Sequence, residues 1–498
     1  MLTASNTVSP IRRPAHLTVL PSAHSPDLSA RRIYQALQHE VGDADRASAR
    51  AFLQRQLQAA RALPIELPDQ LDSLSAWVQE RSAAVGLAYR AYLDVRQSGA
   101  PRRYFTNKAH ALYFLQAAAP TKLVDGAWLY GMLTRWDDPD FHPLIQTYLE
   151  ELGDGVAEKN HVLLYKKLLA SHGCDQWQHL DDDHFIQGAI QLGLAGDAAH
   201  FLPEIIGYNL GYEQLPLHLL ITAYELNELG IDPYYFTLHI TVDNAGSGHA
   251  QKAVQALQQL MPRRGDSADF YRRVRDGYRL NDLGAGTGSV IAEFDLEAEL
   301  LRILAAKSVV GQNMHSDYCR VGGRSINDWL SRPDQLGAML AALEQAGWIE
   351  RGKPAEQSRF WRLIQSERAE MFGVFNSFEQ QVLSDWIGST PAGATPVAAN
   401  EAPRALSFRA RQRALKALAQ PRQATHGGAA RHLIRSHPAQ DDAAAGGTAL
   451  ALRQLESRVA AQGSKAEAMT LLIGLMSPAD HHHAAGLMAT RMYCQLWR

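Results

Sequence analysis

From about residue 30 to residue 390, apolar residues recur at spacings of three and four, as in "RAFLQRQLQAARAL" and "NHVLLYKKLLASHG". That periodicity places one apolar stripe along each helix and leaves little room for sheet. Alternating strand patterns are scarce. The segment "PYYFTLHITV" (233–242) is rich in β-branched and aromatic residues. It sits between helical stretches, however, and Pro233 suits a first turn, so it reads as helix. No fixed repeat of 20 to 50 residues argues for a solenoid. The chain is therefore expected to be all-α, a single enlarged bundle.

Composition narrows the partners. Lys plus Arg number 49 against 52 Asp plus Glu, so the whole molecule has no electrostatic reason to seek nucleic acid or an anionic membrane. No stretch approaches the roughly 20 apolar residues of a membrane span. Cys174, Cys319 and Cys494 are far apart and in no CxxC spacing, which argues against a disulfide framework or thiolate zinc site and points to the cytoplasm.

Five segments are expected. Residues 1–30 read as a disordered leader, although residues 1–26, with Arg12, Arg13 and no acid, share the composition of a transit peptide. A helical metal-binding domain spans 31–265, and a helical extension packed on it spans 266–387. Residues 388–447 are an Ala, Pro, Gly and Arg-rich linker, and 448–498 a C-terminal helical segment. Within the linker, residues 404–435 carry eight Lys or Arg and no acid. In "MSPAD", Ser477 is the expected N-cap of a helix with Pro478 at its first position.

The chemistry concentrates between residues 150 and 250. In "YLEELGDGVAEKNHVLLY", Glu151 precedes two glycines and His161 opens an apolar helical stretch. Ten residues leave the two about 80° apart on a straight helix, so Gly153 and Gly155 would have to adjust the backbone. In "PEIIGYNLGYEQLP", Glu213 follows Gly207 and Gly211, four apart, a spacing that lets another helix approach closely. A carboxylate there is expensive to bury without a cation. In "FTLHITVDNAGSGHAQKA", His239 and Asp243 are i, i+4 on one helical face, and His249 follows six residues later. Glu204 is the substitute should Glu213 be misassigned.

Three carboxylates and three imidazoles without thiolate suit iron or manganese better than structural zinc. Six such donors suit two ions about 3.5–4 Å apart, with positions left open. Two further clusters are candidates. His315, Asp317 and Cys319 could line the site or bind another metal, though a polar turn explains them as well. His481, His482 and His483 read as surface residues, since successive helical positions point apart.

The pattern of Glu151 and His161, then "YEQLP", then a His-x-x-x-Asp helix and a further His resembles the haem-oxygenase-like diiron oxidases and oxygenases, often called iron-containing redox enzymes. The resemblance spans roughly residues 80–260. It implies a haem-oxygenase-like bundle with additional C-terminal helices, two Fe(II) ions per chain and dioxygen as co-substrate. Glu151, His161, Glu213, His239, Asp243 and His249 would be the metal ligands. One departure stands out, because the family's last histidine follows the Asp by three residues, where this chain has Gly246. His249 could turn inward only through a bulge or break at Asn244–Gly248.

The implied activity is oxidation of a small amino-acid-derived or amine metabolite, by N-oxygenation, desaturation or carbon–carbon cleavage. An external electron donor and a homodimer are compatible with it. Two rivals stay open: a metal-free or haem-handling member of the same fold, and a non-enzymatic helical interaction protein.

Overall fold

The computed structural model describes residues 29–39, 41–242, 248–262, 265–365, 369–390 and 452–498. Residues 1–28 of the expected leader and nearly all of the expected linker lie outside them, as does Asp243.

The chain is all-helical, and its one sheet among the described residues is a two-stranded hairpin pairing Arg320–Val321 with Arg324–Ser325. In chain order the first helices are α1 (Ala30–Leu37), α2 (Asp43–Ala60), α3 (Leu74–Gln97), α4 (Lys108–Ala117) and the single turn α5 (Ala119–Lys122). A 3-10 stretch, Ala127–Arg135, leads to α6 (His142–Glu151), α7 (His161–His172) and α8 (Ile186–Gly196). Then come α9 (Leu202–Tyr212), α10 (Leu217–Glu228), α11 (Tyr234–Val242), α12 (His249–Leu260) and α13 (Ser267–Arg279). No helix among the described residues is long and apolar enough to cross a membrane.

The tightest crossing is that of α9 with α13. A Cβ on Gly207 would collide with the Val274 carbonyl, and one on Gly277 with the Glu204 backbone. Bare glycines on both helices therefore let the two backbones touch, which is the close approach the Gly207/Gly211 spacing predicts. Glu204 does not point to the site; its carboxylate takes two hydrogen bonds from Arg273, at 2.6 and 2.7 Å, across that crossing.

Beyond α13, the helices α14 (Thr287–Glu293), α15 (Leu296–Gly311), α16 (Ile326–Leu330), α17 (Leu336–Gln345), α18 (Arg359–Gln365) and α19 (Ser377–Gly388) form an extension. It docks through α19, where Asp385 accepts a 2.7 Å hydrogen bond from the Ala109 amide of α4. Residues 312–325 make the hairpin and its flanking turn, and α16 follows. Among the described residues no metal-sized grouping includes His315, Asp317 or Cys319.

Two helices, α20 (Lys465–Leu475) and α21 (Ala484–Trp497), close the chain. They pack on α6 and the turn that follows it: the Tyr148 hydroxyl donates to the Met476 carbonyl at 2.7 Å, and Arg491 donates to the Gly155 carbonyl at 2.8 Å. The expected helix at Pro478 is absent. Ser477 instead donates to Asp480 in a turn, and α21 starts only at Ala484. His481 corrects a second expectation, being 2% exposed rather than on the surface. The turn points its ring inward, and its Nδ1 accepts from Asn160 Nδ2 at 3.0 Å.

Candidate metal centre

Glu151 is the last residue of α6 and His161 the first of α7; they are not on one adjusted helix. Gly153, Asp154 and Gly155 all take positive φ (64°, 51° and 78°), which turns the chain back on itself. Asn160 then caps α7, accepting from the Leu163 amide and donating to the Leu152 carbonyl. The result sets His161 Nδ1 2.5 Å from Glu151 Oε2, both residues being buried.

Sequence reasoning missed Asp125. It lies in the turn after α5, followed by Gly126 at φ 81°. A Cβ on Gly126 would meet Glu151 Cβ at 2.9 Å, so the glycine lets this turn lie directly against Glu151. The available signal was an acidic residue beside glycine inside the apolar run "KLVDGAWLYGML". Asp125 is fully enclosed, with one oxygen accepting from Tyr212 (2.7 Å) and the other from Tyr235 (2.5 Å).

His239 stands in α11 with Nδ1 2.8 Å from the Tyr235 carbonyl. That contact orients the ring and sets Nε2 3.4 Å from Asp125 Oδ2. Glu213 ends α9 as its C-cap. His249 opens α12, with Gly248 in extended backbone as its N-cap. Its ring is buried, with Nδ1 2.8 Å from Glu213 Oε2 and 3.4 Å from Glu151 Oε1.

Five of the six expected ligands thus converge, and Asp125 joins them. The groups Asp125, Glu151, His161, His239 and Glu151, Glu213, His249 each bring their ligand atoms within 4.8 Å of one another. Glu151 belongs to both: Oε2 faces His161 and Oε1 faces His249.

Burial and neighbouring charge oppose each other at this centre. Burial pushes the Asp125 carboxyl up, but Lys122 and His239 outweigh it and hold the group well below the usual carboxylate range. Burial likewise opposes ionisation of Glu151, and His161 overcomes it, so this carboxyl is also lowered. Burial raises the Tyr212 and Tyr235 hydroxyls well above their ordinary range, keeping them as protonated donors. Three enclosed carboxylates around one point are costly unless positive charge joins them. His161 Nδ1 supplies a direct indication: it is buried and 2.5 Å from Glu151 Oε2, yet the two lack hydrogen-bond alignment. Oxygen and imidazole donors without sulfur match iron.

A cavity of about 680 Å³ reaches this centre, lined by Glu151, Glu213 and His239 together with Phe114, Phe236 and Lys122. The Lys122 ammonium donates to the Tyr212 hydroxyl at 2.8 Å and lies 3.8 Å from Asp125.

A buried carboxylate–imidazole centre among helices is an arrangement that could hold a metal ion. Residues 112–282, about a third of the chain, match the family described as iron-containing redox enzyme, and every residue of the centre falls within that span. Neither the curated proteins nor the solved structures offer a match.

Proposed function

We propose that the protein is a non-haem diiron oxidase or oxygenase that uses dioxygen to oxidise a small amino-acid-derived or amine metabolite. The observation that carries this reading is the shared carboxylate, Glu151, between two groups of donors. Asp125, His161 and His239 would complete one metal position, and Glu213 and His249 the other. Asp243, outside the described residues, stays a proposed ligand from its i, i+4 spacing with His239. Bound iron would supply one-electron redox chemistry with dioxygen.

The chain's own part is to hold donors, orient substrate and exclude water. The cavity is in the size range of small-molecule sites. Phe114 and Phe236 give it apolar surface, and Lys122 offers a cation to a substrate carboxylate beside the reacting position. Tyr212, held protonated, keeps Asp125 oriented. A reducing compartment suits three unpaired cysteines, and the proposal places the enzyme in the cytoplasm.

The test is oxygen uptake by anaerobically iron-loaded protein, offered amino acids and amines in turn, with the metal and haem content measured on the same sample. Substrate-dependent uptake with non-haem iron supports the reading. Bound haem, or no iron and no uptake, would replace it with the haem-handling or the non-enzymatic alternative.

A further inference from the structure

We propose that Glu150 is a positioning residue for the metal centre: the outer carboxylate that orients His249, itself held in place by Lys252. This rests on the two-metal reading above. Successive helical residues point about 100° apart, so at the end of α6 Glu151 turns into the centre while Glu150 turns toward α12. There it meets His249 from outside: Nε2 lies 2.8 Å from Glu150 Oε2, while Nδ1 on the opposite side of the ring lies 2.8 Å from Glu213 Oε2. The ring is fully buried between two carboxylates.

A neutral imidazole has one N–H and one lone pair. Two acceptors cannot both be served by a neutral ring, whereas a cation at the inner nitrogen leaves the single proton on Nε2, aimed at Glu150. Histidine ligands are commonly fixed in this manner by a carboxylate on the far nitrogen. His239 has a backbone carbonyl in that role; for His249, the first residue of α12, the role falls to Glu150.

Glu150 is itself constrained. Lys252, three residues after His249 on α12, contacts both of its oxygens at 2.5 and 2.6 Å, and Gln146 donates to Oε1 at 3.0 Å. These contacts place the carboxylate without burying it fully, its side chain being 26% exposed. Gln in its place should therefore be tolerated by the fold.

The experiment is an anaerobic Co(II) titration of wild type, Glu150→Gln and Lys252→Met, followed by visible absorption, with circular dichroism and thermal melting alongside. Wild type is expected to take two ions per chain. Glu150→Gln should keep one ion at wild-type affinity and bind the other about 10- to 100-fold more weakly, the usual cost of losing such an outer partner. Lys252→Met, which leaves Glu150 in place, should weaken the same ion less. If Glu150→Gln binds both ions as wild type does, with the same spectrum, Glu150 is only half of an ion pair between helices and the proposal is overturned. If wild type itself takes fewer than two ions, the two-metal reading fails and the Glu150 role with it. Equal melting losses in both variants, with unchanged metal binding, would likewise leave a structural ion pair and no positioning role.

Discussion

At the scale of single residues, the donors that sequence reasoning found were those in mismatched surroundings: an acid or imidazole inside an apolar helical run, as with Glu151, His161, Glu213 and His239. Asp125 escaped because its signal is tertiary. Nothing in "KLVDGAW" shows that this turn will lie against Glu151, 26 residues after Asp125. Gly126 is what allows it, which gives a prediction. In Gly126→Ala the new Cβ would stand 2.9 Å from Glu151 Cβ at a φ of 81°, so Glu151 must shift or the turn must strain, at a cost of about 1–3 kcal/mol. The expected outcome is a helical protein by circular dichroism with a lowered unfolding midpoint and reduced iron content. Wild-type iron content in that variant would mean that contact between the turn and Glu151 does not govern metal binding.

At the scale of elements, periodicity was legible and its interruptions were not. "PYYFTLHITV" forms helix α11 despite its β-branched residues, because its flanks and Pro233 favour that over an isolated strand. The interval from Glu151 to His161 is a full reversal of the chain, since three consecutive positive φ values are a property of the folded loop that a helical wheel does not contain. "MSPAD" satisfied the local rules for a helix start, yet Ser477 and Asp480 satisfied each other instead. The glycines of α9 carried a readable message, and Gly207→Ala tests it. A methyl there meets the Val274 carbonyl of α13 head-on, and overpacking of this kind costs about 1–3 kcal/mol. The urea midpoint should fall, with iron lost in parallel because Glu213 caps the displaced helix. An unchanged midpoint would show that α9 and α13 can part without consequence.

At the scale of the whole molecule, the C-terminal helices pack on the loop that joins two metal donors, a long-range relation that no local pattern encodes. Their docking brings His481 and His482 into the fold. Burial, with His482, His483 and Lys166 nearby, lowers the His481 imidazole well below its usual range, and burial with Lys166 lowers His482 to about 4 from an ordinary 6.5. Groups held neutral in this manner take up protons more readily when unfolded. The His482 contribution to stability is therefore intact above about pH 6.5 and lost as pH falls toward about 4, and that of His481 is lost in the same direction. Hydrogen exchange in α21 should accelerate across that window and do so less in His481→Gln; equal acceleration in both would assign the acid sensitivity elsewhere. The central claim, however, is that one carboxylate serves two metal positions. It is tested most directly by counting iron per chain in wild type, His249→Ala and Glu151→Ala, each loaded anaerobically and confirmed folded. The account predicts two ions in wild type, one in His249→Ala and none retained tightly in Glu151→Ala. Two ions in Glu151→Ala, or one in wild type, would contradict it.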